Sequence, residues 1–157
     1  ATCLSIPASV YLRFIDRNYG VEETVEFHER MMELKCSRVF GDMICTAISS
    51  GLARRMRRFT LQPGDRIEPD PAELILVHRG TLMVFLAEAP VERVGPGGIF
   101  GEEGVLLRSS SITSAVAQDE VQAYAIPTDA LERIPAIEWK LLETYERRIN
   151  AFGAFMS

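Results

Sequence analysis

The chain has 157 residues, of which 47% are apolar and 25% charged, the balance of a folded globular domain and not of a disordered or fibrous chain. Its net charge of −5 repels a phosphate backbone, and its uncharged runs fall well short of the roughly 20 residues a bilayer span needs. The N-terminus has neither the basic start nor the long apolar run of a signal peptide, so a cytoplasmic location is expected, with no membrane partner. Cys3, Cys36 and Cys45 are odd in number and lack CxxC spacing, which predicts reduced, mostly buried thiols and no metal or disulfide framework.

Up to about residue 55 the apolar residues recur at helical spacing, and three helices are predicted. The first carries Val10, Tyr11, Phe14 and Ile15, with Pro7 at its start and Asn18 and Gly20 at its stop. The second carries Val21, Val25 and Met32, with Glu22 and Glu23 where the positive end of a helix favours acids. The third carries Val39, Phe40, Met43, Ile44, Ala47, Ile48 and Leu52. From Met56 to Ile126 the rhythm changes to short apolar runs broken by turn residues, as in a sandwich or small barrel. The predicted strands are Arg57 to Leu61, Leu74 to Val77, Thr81 to Leu86, Val91 to Val94, Ile112 to Ala117 and Val121 to Ile126. The helical period returns around Asp129 to Ile134 and, beyond Pro135, from Ala136 to about Phe152. There Ile137, Leu141, Tyr145, Ile149 and Phe152 form an apolar stripe that Trp139 and Leu142 widen. The expected division is a helical segment over residues 1–54 and a β-rich unit with closing helices over 55–157.

The sharpest local signal is the glycine-rich run from Gly95 to Leu107, which brackets a strand end and the start of a short helical turn. Unpaired N–H groups and the helix dipole at such a turn favour an anion. Pro63-Gly64-Asp65, then Val77, Gly80, Leu82 and Val84, then Phe100-Gly101-Glu102, the strand through Thr113 to Ala117 and two closing helices follow in an order and spacing that resemble the cyclic nucleotide-binding domain family. The resemblance spans Arg57 to Arg148. It implies an α+β fold: an antiparallel β-roll, jelly-roll-like, with N-terminal helices and a C-terminal helical lid over a small-molecule pocket.

By that resemblance the ligand-binding residues are Phe100, Gly101, Glu102, Glu103, Arg108, Ser110, Ser111 and Thr113, with Glu102 accepting from a ribose hydroxyl and the Gly101 backbone near the phosphate. The implied ligand is cAMP or cGMP, with no cofactor and no metal. Two departures bear on it. The family places an arginine about nine or ten residues after the glutamate, where this chain has Ser111 or Ile112, and an apolar residue just after the glutamate, where it has Glu103. A charge-assisted hydrogen bond to phosphate is worth roughly 1.5–3 kcal/mol. A carboxylate about 6 Å from the phosphate opposes it by roughly 2–3 kcal/mol at an effective dielectric of about 20. Compensation by Arg108 and the hydroxyls of Ser109, Ser110 and Ser111, retuning to another ligand, and an empty structural cassette all stay open.

The remaining polar features read as structural. Arg54, Arg55, Arg57 and Arg58 suit a helix end followed by the solvent face of a strand. His28 and His78 lack the histidine pairs of a metal centre, and His28 is expected on a helix, partly exposed. Glu102 and Glu103 are expected to diverge on a helical turn, Ser109 to Ser111 have no adjacent base, and no catalytic residue is predicted. Only Gly153 to Ser157 follow the last helix, so no DNA-reading domain is expected here. The broad stripe on that helix predicts a homodimer. The function expected is a non-catalytic regulatory module that senses a small, possibly phosphorylated ligand, or else a constitutive oligomerisation scaffold with a vestigial pocket.

Overall fold

The structure is a computed structural model that describes residues 5, 7–17, 20–42, 45–107, 113–131 and 134–156. Three helices come first: α1 (Ala8–Arg17), α2 (Val21–Cys36) and α3 (Thr46–Arg55). The acids Glu22 and Glu23 in the first turn of α2 and Lys35 in its last complement the helix dipole. The third helix begins later than its apolar spacing predicts. Ser37 caps α2, and its Oγ accepts from the Phe40 N–H at 2.8 Å, which bends the chain and buries Val39 and Phe40 in a turn.

Eight strands follow among the described residues: β1 (Arg57–Leu61), β2 (Arg66–Ile67), β3 (Glu73–Arg79), β4 (Leu82–Leu86), β5 (Ala89–Val94), β6 (Ile99–Phe100), β7 (Thr113–Ala117) and β8 (Val121–Pro127). Between β6 and β7 lies a short helix, α4 (Glu102–Leu107), and a 3-10 turn at Thr128–Ala130 leads to the long helix α5 (Pro135–Met156). The strands form two four-stranded antiparallel sheets, ordered β1-β8-β3-β6 and β2-β7-β4-β5. This is the expected α+β arrangement of an antiparallel roll with helices at both ends. The strands β2 and β6 were not predicted, since two residues are too few to show an alternating pattern. β5 reaches back through Pro90 because it is an edge strand, where a missing N–H costs no ladder bond.

Side chains alternate between two cores. Val77, Val121, Ala123, Val84, Phe100, Ala115 and Ala117 point between the sheets and fill the interior of the roll. Leu74, Leu76, Tyr124 and Ile126 point the other way and meet Leu34, Leu52, Ile137 and Leu141 from the helices and Phe40 from the turn after α2. The N-terminal helical segment and the roll therefore share one apolar cluster. No described helix is long and apolar enough to cross a membrane.

Gly80 closes the β3–β4 connection at φ +81, and a Cβ there would press on the Glu120 carbonyl oxygen and lie 2.9 Å from the Val121 Cα. Both the left-handed backbone and the space demand glycine. Gly80→Ala is expected to destabilise the fold by about 2–4 kcal/mol, read as a lowered urea midpoint with an unchanged slope.

The thiols depart from expectation. Cys36 and Cys45 are exposed, because one ends α2 and the other caps α3, and both helix ends face solvent. Cys3 lies outside the described residues.

Candidate functional site

The site is built where β6 turns into α4. Gly101 makes the turn at φ +96, with its missing Cβ directed at the Glu73 carbonyl oxygen 3.2 Å away. Glu102 and Glu103 then occupy the first turn of α4, where acids complement the dipole. They diverge as predicted, yet both are buried, at 2% and 5% exposure.

Glu102 Oε2 accepts from Nη1 of Arg148, a residue of α5 that is itself only 3% exposed. Arg148 Nε donates to Glu92 Oε2 of β5 at 2.6 Å, and its Nη2 donates to the Ile99 carbonyl oxygen of β6 at 2.8 Å. Arg147 Nη2 reaches the other oxygen of Glu92 at 2.8 Å. One guanidinium thus ties α5 to the cassette and to two strands. Burial works against its charge, but Glu102 and Glu92 outweigh that and hold the arginine above its ordinary value.

Glu103 Oε2 instead accepts from the Thr113 hydroxyl at the start of β7, at 3.2 Å. Burial pushes the Glu103 carboxyl above the ordinary carboxylate range, and the charge of Glu102 adds to this, while the Thr113 hydroxyl and Arg148 pull the other way. A carboxyl whose folded value is raised favours the fold when protonated, so its contribution is fully present below the unfolded value and fades as pH rises through the folded one. Glu103→Gln is accordingly expected to be more stable than the parent at pH 7, by about 1 kcal/mol. The gap should close as pH falls toward 4.5, as followed by thermal melts across that range.

Of the other predicted ligand residues, Phe100 is buried in the roll interior, Gly101 is at the turn and Thr113 is engaged with Glu103. Arg108, Ser110 and Ser111, with Ser109, lie outside the described residues. Sequence reading missed Arg148, which it named only as the end of the family resemblance and gave no role. The signal was its register: Ile137, Leu141, Thr144 and Arg148 fall at steps of four, three and four and form the buried face of α5. The predicted stripe is displaced, since Trp139, Leu142 and Ile149 are exposed.

The arginine cluster is spent within the fold. Arg55 pairs with Asp129, Arg57 with Glu73 and Arg58 with Gln122, while Arg54 sits over the Phe27 ring. His28 is exposed on α2, with Nδ1 at 2.7 Å from the Thr24 carbonyl oxygen. His78 lies within β3, its Nδ1 2.7 Å from Glu33 Oε1 without the angles of a hydrogen bond. No group of described residues has the makings of a metal site.

A cavity of about 370 Å³ opens under α5 against the β5–β6 turn, with Arg148 in its lining. None of the described ones among the predicted ligand-binding residues lines it.

Residues 61–137 match the family described as the cyclic nucleotide-binding domain. No curated protein matches the chain closely enough to count as a relative. Among solved structures, the fold is similar to cAMP-bound PfPKA-R, at a TM-score of 0.72 and 15% identity over 83% of this chain and 48% of that one. It is equally similar to a mutant regulatory subunit of a cAMP-independent protein kinase A from Trypanosoma brucei, bound to cAMP in the A site, at a TM-score of 0.72 and 15% identity over 87% of this chain and 53% of that one. One of the three substitutions in that mutant replaces threonine by arginine. The corresponding subunit from Trypanosoma cruzi, bound to guanosine, gives a TM-score of 0.62 at 18% identity over 70% of this chain and 41% of that one. The chain thus spans about half the length of the first structures it matches.

Proposed function

We propose that this chain is a non-catalytic regulatory module in which a nucleoside-like ligand at the cassette is sensed by α5. The observation that carries the reading is the buried Arg148, which joins the cassette glutamate directly to the helix that would act as lid. A ligand hydroxyl that competes for the Glu102 carboxylate loosens α5 from the roll, and the two positions of α5 then differ in free energy by the ligand's preference for one of them. The cassette has no arginine at Ser111 or Ile112 to clamp a phosphate. The guanosine-bound relative supports a ligand held mainly through sugar and base, and the cAMP-bound mutant with its added arginine supports a weak response of the present sequence to cyclic phosphates.

Calorimetry with guanosine, adenosine, cAMP and cGMP tests this. Nucleoside binding that Glu102→Ala abolishes in a still-folded protein is the expected result. Silence across the panel overturns it and favours the scaffold reading, which the closed Glu102–Arg148 contact also fits.

The helix α5 serves dimerisation in the same proposal. Trp139 is 69% exposed, with Leu142 and Ile149 beside it on the outer face, an apolar surface that a second copy would cover. Trp139→Glu is expected to turn a dimer into a monomer in sedimentation equilibrium.

A further inference from the structure

The cavity beneath α5 is lined by five cations, Arg38, Arg93, Lys140, Arg147 and Arg148, against two carboxylates, Glu92 and Glu143. In a chain of net charge −5 with 17 basic residues, that local excess needs an explanation. Arg147 and Arg148 are already committed to Glu92 and Glu102. Arg38 and Arg93 have no ion-pair partner among the described residues, and Lys140 has only Asp42, at 3.5 Å and largely in solvent. Two free guanidiniums and an ammonium converging on one concavity are the donor set for an oxyanion, with the bidentate geometry that arginine offers to phosphate.

The walls narrow the class further. None of the described lining residues is aromatic, so the cavity offers no face on which a nucleobase stacks. Glu143 supplies an acceptor for hydroxyl groups, and about 370 Å³ suits a compact ligand. We infer that this cavity binds a phosphorylated sugar or polyol, its phosphate held by Arg38, Arg93 and Lys140 and a hydroxyl by Glu143. The residues assigned to this ligand are not those of the cassette, although Arg148 lines the cavity and also pairs with Glu102, and the inference does not rest on the nucleoside reading.

Glucose 6-phosphate is a suitable probe, since it carries no base or ribose and its failure leaves the cassette untested. Calorimetry of the whole chain in low salt is expected to show binding that weakens at least tenfold in the Arg38→Ala/Arg93→Ala double variant. Both positions are exposed, so the variant should melt like the parent. Glu143→Gln should lower affinity for the sugar phosphate and not for inorganic phosphate, from which it removes a like charge. Absence of binding at millimolar ligand, equal binding by the double variant, or equal affinity for glucose and glucose 6-phosphate each overturns the inference.

Discussion

Replacing Arg148 with methionine is expected to cost about 3–5 kcal/mol of stability. The side chain is 3% exposed and satisfies Glu102, Glu92 and the Ile99 carbonyl oxygen at once. Without it Glu102, 2% exposed, loses the partner that holds it inside, and Glu92 is left with Arg147 alone. Three acceptors in different elements call for a planar fork of donors, so Arg148→Lys should recover only part of the loss. A domain of this size should lose about 6–20 °C in melting temperature. The decisive comparison is with Arg148→Met combined with Glu102→Gln and Glu92→Gln. Removing the charges together should restore much of the stability, because the penalty comes from the stranded carboxylates more than from the lost pairs. Equal melting of the single and triple variants would refute this account.

Placing arginine at Ser111 is expected to raise affinity for cAMP by ten- to a hundredfold, the size of one charge-assisted hydrogen bond to a phosphate. The position follows from the family spacing after Glu102. Combining Ser111→Arg with Glu103→Gln should increase the gain, since the second change removes a negative charge from the same turn. Titration of parent, single and double variants with cAMP and with adenosine checks the prediction. The arginine should help cAMP and leave adenosine unchanged. A parallel rise for both ligands would mean that it acts through the shape of the loop and not through the phosphate.

Much of this architecture was legible because its signals are local. Pro63-Gly64-Asp65, Gly80 and Phe100-Gly101-Glu102 mark places where the backbone must turn sharply, and Gly64, Gly80 and Gly101 all take positive φ. The helices at both ends were readable from their apolar period. What escaped notice depends on contacts far apart in sequence. Arg148 lies 46 residues from Glu102 and 56 from Glu92, and a polar residue on the buried face of a helix carries no mark until its partner is known. The face that α5 buries was misjudged for the same reason: with Leu, Ile, Tyr, Thr and Arg spread around the helix, apolar spacing alone left two seams available, and the Glu92–Arg148–Glu102 contact selected one. The later start of α3 came from the Ser37 cap, a side-chain bond that competes with helix extension.

Trp139 is the only tryptophan in the chain and stands 69% exposed on α5, immediately before Lys140 at the rim of the basic cavity. Its indole emission is therefore a label-free optical gauge of this one helix. Seating a second copy on the outer face would shift the spectrum to shorter wavelength, while an anion settling beside Lys140 would alter intensity with little change in colour. A single fluorimeter trace can then tell self-association from ligand capture.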